Sequence, residues 1–161
     1  MAALDRILTV DEMKTRARRS VPRMFFDYAD SGSYTEGTYR ENESDFNKIK
    51  LRQKVAVNLE GRNLKTEMLG KPVTMPVAIA PAATGGMQIA DGEIKAARAA
   101  EKYGIPFTLS TMAVCSIEDI AENTSAPFWF QLYVMRDRGF IERLIDRAKA
   151  AKCSALVLTM D

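Results

Sequence analysis

Apolar and polar positions alternate in two different rhythms along this chain, and the rhythm changes near residue 76. In the first stretch, Thr9 followed by Glu12 has the form of a capping box, so a helix is predicted immediately after it. Val21-Pro22 ahead of RMFFDYAD sets a proline near the start of a second helix. Ser31, Gly32 and Ser33 interrupt that pattern, and TEGTYRENESDF then supports a third helix, short and exposed. Between Leu51 and Met75, short apolar pieces separated by Asn58, Gly61 and the Gly70, Lys71, Pro72 triplet predict small extended segments rather than another long helix. Residues 1–75 therefore read as an entrance region.

From residue 76 the pattern becomes regular. PVAIA at 76–80 predicts a buried strand, and GEIKAARAAEKYG carries Ile94, Ala97 and Ala100 at helical spacing before Gly104 stops the helix. PFTLST predicts a second strand, and Ser116 followed by Asp119 caps a short crossover helix, SIEDIAEN. PFWFQLYV predicts a third strand. Asp137 opens a helix with Ile141, Leu144, Ile145 and Ala148 on its apolar face, and ALVLTM predicts a fourth strand. Four strands alternating with three helices predict a parallel α/β architecture with right-handed crossovers. Both a doubly wound sheet and part of a (β/α)8 barrel satisfy that order. A complete barrel takes about 250 residues, so 161 residues would supply its amino-terminal half. Asp161, directly after a strand expected to be strongly buried, reads as the interruption of a larger fold. The expected division is 1–75 as the helical entrance segment and 76–161 as the first four strands of an incomplete barrel.

Composition narrows the functional classes. Hydrophobic residues make up 47% and charged residues 27% of the chain, which suits a packed core and excludes a disordered or collagen-like chain. The net charge of +2 is dispersed, with no basic surface suggestive of nucleic acid. The sequence contains no histidine, so imidazole ligands and the usual proton-transfer side chain are absent from these residues. Cys115 and Cys153 lack the close pairing of a zinc signature and read as buried, reduced thiols. The first residues lack the apolar run of a signal peptide, and no later run approaches the ~20 residues of a membrane-spanning helix. An intracellular, soluble chain is expected; attachment to a membrane surface would need no spanning helix.

Candidate chemistry gathers at the carboxyl ends of the predicted strands, the favoured position for functional groups in parallel α/β folds. Those ends carry Pro81, Ala82 and Ala83 ahead of Thr84, Gly85 and Gly86; Ser110, Thr111 and Met112; Gln131, Leu132 and Tyr133; and Thr159, Met160 and Asp161. Gln131 offers an amide donor and acceptor suited to a flavin's carbonyl and imide edge, and equally to a satisfied interior amide. Ser110 and Thr159 can donate to ring heteroatoms or cap the following backbone, and Tyr133 can direct its hydroxyl to a small anion. Arg136, Asp137 and Arg138 read as a solvated helix entrance. No catalytic metal site and no acid-base pair assembles from the residues present.

The segments PRMFFDYADSG, MPVAIAPAATGG, DGEIKAARAAEKYG, FTLST, FWFQLYVMRDRG and ALVLTMD, in this order, resemble the FMN-dependent L-2-hydroxy-acid dehydrogenase and oxidase family, through nearly the whole chain. The resemblance implies a TIM-like barrel and an FMN cofactor. It implies that Tyr28 and Tyr133 bind the substrate, that the backbone at Pro81, Ala82 and Ala83 lies against FMN, and that Ser110, Gln131 and Thr159 hydrogen-bond the cofactor. Met112 occupies a position that shapes the substrate pocket. The family's catalytic histidine, substrate-binding arginines and flavin-tuning lysine come from later strands, so no catalytic residue is expected in these 161 residues, and they are expected to be inactive alone. The CSIEDIAEN and PFWFQLYVMRDRG segments look most like bacterial respiratory L-lactate dehydrogenases. That implies oxidation of a small L-2-hydroxy acid, lactate ahead of glycolate or mandelate, with electrons passing to a quinone or another acceptor. The expected partners are the carboxy-terminal half of the barrel and further copies in a homo-oligomer, in the cytoplasm or peripherally on the inner face of the cell membrane. A nonenzymatic flavin-binding or interaction domain is the rival reading.

Overall fold

The computed structural model describes residues 6–160, which separate into two compact units, one ending at Arg62 and the other beginning at Asn63. In the first, α1 (Val10–Ser20) opens with the expected capping box: the Glu12 N–H donates to the Thr9 hydroxyl at 3.2 Å, and the Glu12 carboxylate accepts from the Thr9 N–H at 3.3 Å. Helix α2 (Arg23–Ala29) follows Pro22, whose ring presets φ for helix entry. Helix α3 (Gly37–Ser44) runs into a 3-10 turn at Asp45–Lys48. A polar knot ties the three helices: the Lys14 ammonium lies 2.5 Å from Asp30, and Tyr39 donates its hydroxyl to Asp30 at 2.8 Å. Those contacts raise the Lys14 pKa and lower that of Asp30.

In the second unit, β1 (Thr66–Met68) and β2 (Lys71–Val73) form a small antiparallel hairpin. This is the regular pairing within 51–75; residues 51–65 take no part in it, which narrows the expectation of several extended pieces. Next come a one-turn helix α4 (Gly85–Gln88), unexpected from sequence, and α5 (Gly92–Tyr103), which Gly104 ends with φ +65°. Strand β3 (Thr108–Ser110), α6 (Ile117–Asn123), β4 (Trp129–Leu132), α7 (Arg138–Ala150) and β5 (Ala155–Leu158) complete the order. The three strands pair in parallel in the order β3, β4, β5. Ser116 and Asp119 form the second expected capping box, and Asp137 caps α7.

Leu109, Phe130 and Leu132 project from the sheet into a core shared with Ala97 and Ala100 of α5, Ile117 and Ile120 of α6, and Ile141, Leu144 and Ala148 of α7. Alternation along each strand then leaves Ser110 and Gln131 to the opposite face.

Three expectations about burial need correction. The segment 76–80 is not a buried strand: it joins the sheet through a single parallel bridge, Ile79 to Phe107, and Val77 is half exposed. It has a ladder partner on one side only, and prolines at 76 and 81 remove donors from both ends. Strand β5 is likewise not strongly buried, since Leu156 and Leu158 are each 49% exposed. In register with Phe130 and Leu132, they share the face of the sheet that bears the core, but β5 is the last strand of the three and pairs with β4 alone among the described residues. Both thiols are free and half-buried, short of the full burial expected. No helix among the described residues is long and apolar enough to cross a membrane.

Candidate functional site

Register builds the site. Ser110 lies opposite Gln131, and Gln131 opposite Val157, so the polar side chains at the ends of β3 and β4 converge, with Thr159 two residues beyond Val157. Gln131 is 1% exposed. Its Oε1 accepts from the Ser110 hydroxyl and the Thr111 N–H, each at 3.1 Å, and its Nε2 donates to Thr159 Oγ1 at 2.7 Å. The Ser110 hydroxyl oxygen accepts from the Met112 N–H at 3.1 Å. Thr111 donates its hydroxyl to the Gln131 carbonyl and accepts from the Tyr133 N–H at 3.2 Å. One amide thus fastens three strand ends into a rigid row.

That row keeps donors in reserve. An amide nitrogen carries two hydrogens and a hydroxyl one. The bond from Gln131 to Thr159 uses one amide hydrogen and a lone pair of the hydroxyl. The second amide hydrogen and the Thr159 hydroxyl hydrogen find no protein acceptor among the described residues. Such groups at a rim take their partners from water or from the acceptors of a ligand edge.

A tight loop borders the row. Pro81, Ala82 and Ala83 present an exposed strip of small side chains. Thr84 then takes φ +61° and donates its N–H to the Met112 carbonyl at 3.4 Å. Gly86 follows because a Cβ there would stand 2.7 Å from the Val114 side chain. Behind the loop, Glu93 is 4% exposed, and its Oε1 accepts from the Gly86 N–H at 3.0 Å and the Val114 N–H at 3.2 Å. Burial opposes its ionisation, but its own N–H, those of Gly86 and Val114 and the neighbouring Cys115 thiol together hold its pKa below the ordinary carboxylate value. Burial, then the adjacent carboxylate, push the Cys115 thiol up; burial pushes Cys153 up to about 11. Neither is an activated thiol.

Of the residues expected from sequence, Ser110, Gln131 and Thr159 meet directly. Met112 and Tyr133 flank them through backbone bonds, both with exposed side chains, and residues 81–83 adjoin them through Thr84. Tyr28 stands on α2 in the other unit, 72% exposed. Sequence reasoning placed Thr111 at the strand end without giving it a role, and it missed Glu93. Glu93 looks like an ordinary acidic residue in a first helical turn, and only its distant partners reveal more. Among the described residues no cluster of three or more Cys, Asp and Glu could hold a metal ion.

Parallel strands whose carboxyl ends carry spare donors beside a glycine-tight loop define an α/β segment, with these groups at the end of the strands where such folds place their sites. The profile of the family described as FMN-dependent dehydrogenase matches residues 17–161. An L-lactate dehydrogenase of Ectopseudomonas mendocina (strain ymp) is 48% identical over 150 residues, covering 93% of this chain and 40% of that protein. The crystal structure of a soluble mutant of the membrane-associated (S)-mandelate dehydrogenase from Pseudomonas putida superimposes with a TM-score of 0.91 at 35% identity, over 96% of this chain and 44% of that one. A mandelate oxidase structure gives 0.89 at 30% identity, over 96% and 45%. The chain belongs to the FMN-dependent dehydrogenase family, a family of oxidoreductases. Its fold is the amino-terminal part of those flavoenzymes' (β/α)8 barrel, and it spans 40% of the length of the curated relative it matches.

Proposed function

We propose that these residues form the amino-terminal part of an FMN site in an enzyme that oxidises an L-2-hydroxy acid, L-lactate to pyruvate, and passes the electrons to a quinone or another acceptor. The observation that carries this reading is the row of buried Ser110 and Gln131 with half-buried Thr159, and its two spare donors. Gln131 and Thr159 would donate to the acceptor edge of the flavin ring, with Ser110 holding the Gln131 amide in place. The small side chains at Pro81, Ala82 and Ala83 would let the backbone approach the ring. When bound, FMN supplies the two-electron redox chemistry. Tyr133 would orient the substrate near its reacting carbon, and Met112, adaptable in shape, would line the substrate side; for Tyr28, the family resemblance alone supports a contact with the substrate carboxylate.

The choice of lactate rests on the 48% identity to an L-lactate dehydrogenase. Attachment to the inner face of the cell membrane draws support from a relative described as membrane-associated, and a homo-oligomer belongs to the same reading. Without a histidine, the 161 residues lack the imidazole that the family resemblance makes the base for the substrate hydroxyl. We therefore expect binding without turnover by this chain alone.

The test is anaerobic addition of L-lactate to the FMN-loaded chain, with and without the carboxy-terminal part of the L-lactate dehydrogenase relative supplied as a separate polypeptide. Flavin bleaching is expected only in the mixture. Bleaching by the chain alone would overturn the inactivity, and bleaching of the mixture by glycolate or mandelate but not by lactate would overturn the substrate.

A further inference from the structure

The loop bearing Ala82 and Ala83 gains its position from outside itself. Its backbone leaves the sheet at Ile79, turns through a left-handed Thr84 and enters the single turn α4. A one-turn helix has too little internal hydrogen bonding to fix a loop. Beside the Thr84 N–H bond to the Met112 carbonyl, Glu93 in the first turn of α5 fixes this one. One carboxylate oxygen takes the N–H of Gly86, on the loop after the first sheet segment, and the N–H of Val114, on the loop after β3. Three glycines are packed around this contact. A Cβ on Gly85 would meet the Glu93 carboxylate at 3.2 Å, one on Gly86 would meet Val114 at 2.7 Å, and one on Gly92 would meet the Gly85 carbonyl oxygen at 2.5 Å. The other oxygen, Oε2, is buried with no hydrogen-bond partner among the described residues. A buried charge retained in such a place must return something for its desolvation, and what this one does is hold two rim loops at a fixed separation.

We propose that Glu93 is a positioning residue for the cofactor: by clamping the 84–86 loop to the 112–114 loop, it sets the backbone of Ala82 and Ala83 against the Ser110, Gln131 and Thr159 row before FMN arrives. The inference rests on the FMN reading given above. Glu93 touches neither cofactor nor substrate in this account; it acts through the amides of Gly86 and Val114.

The experiment is FMN titration of the purified chain and of its Glu93→Ala and Glu93→Gln variants, followed by flavin fluorescence, with amide hydrogen exchange read at Gly86, Val114 and Phe130. Glu93→Ala is expected to weaken FMN binding about tenfold or more, because the loops lose their preorganisation. It should accelerate exchange at Gly86 and Val114 while leaving Phe130, in the sheet core, protected. Glu93→Gln keeps an oxygen that can accept both N–H groups, so it should restore most of the affinity and the protection; it also keeps the test decisive should the alanine variant fail to fold, since faster exchange at Gly86 and Val114 in a glutamine variant with unchanged FMN affinity would sink the clamp. A folded Glu93→Ala chain that binds FMN within twofold of the parent would overturn the proposal and leave the FMN reading standing. A parent chain that binds no FMN would overturn both at the first titration.

Discussion

Gln131 concentrates structural and chemical roles in one side chain: it is fully buried, its oxygen takes two donors and its nitrogen reaches Thr159. Replacing it with leucine, Gln131→Leu, would keep the volume but strand the Ser110 hydroxyl and the Thr111 N–H. Leaving buried donors unsatisfied costs about 1–3 kcal/mol, so chemical denaturation should show a loss of that order, and FMN binding should fall with it. An unchanged denaturation midpoint would mean that water replaces the amide without cost. Ser110, Gln131 and Thr159 were legible in the sequence because strand periodicity alone puts them at carboxyl ends. Glu93 was not, because its partners, seven and twenty-one residues away, depend on how two loops return past α5.

The helices were the more legible elements, since their signals are local. Thr9 with Glu12, Ser116 with Asp119, and Asp137 each cap the helix their spacing marks. Ser116→Ala should cost about 1 kcal/mol through loss of the N-cap, measurable as a lowered Tm; no change would mean that the Asp119 side chain carries the cap alone. The strands at 76–80 and 155–158 were misjudged in burial because apolar sequence reports what a strand could bury, whereas exposure depends on what packs over it. Between elements, Glu118 of α6 and Arg147 of α7 form a two-bonded ion pair, with contacts of 2.8 and 2.6 Å. The Arg147 guanidinium lowers the Glu118 pKa to about 2 from 4.5. A depressed carboxylate pKa stabilises the fold above the unfolded value, and this contribution fades as pH falls from 4.5 toward 2. Both side chains are nearly half exposed, so solvent screening limits the pair to about 0.5 kcal/mol. Glu118→Gln should therefore lower Tm slightly at neutral pH and match the parent near pH 2; a difference that persists in acid would show the effect is not ionic.

At the scale of the whole molecule, the second unit has the order of a barrel's first strands and puts its spare donors at one end of them, while the β1–β2 hairpin adjoins the other: the Thr74 N–H, just after the hairpin, bonds the Gly104 carbonyl ahead of β3. Alternating strands and helices made the parallel α/β class legible; they left a doubly wound sheet equally open, and the family motifs with the matching flavoenzyme barrels separate the two. This rim is proposed to bind FMN through the spare donors of Gln131 and Thr159. Native mass spectrometry of the purified chain mixed with FMN tests it most directly, because it reads polypeptide mass and retained cofactor together. The expected result is a 17.9 kDa chain carrying one FMN, with retention lost in Gln131→Leu. A chain that retains no FMN, or a Gln131→Leu variant that retains it as well as the parent, would contradict the account.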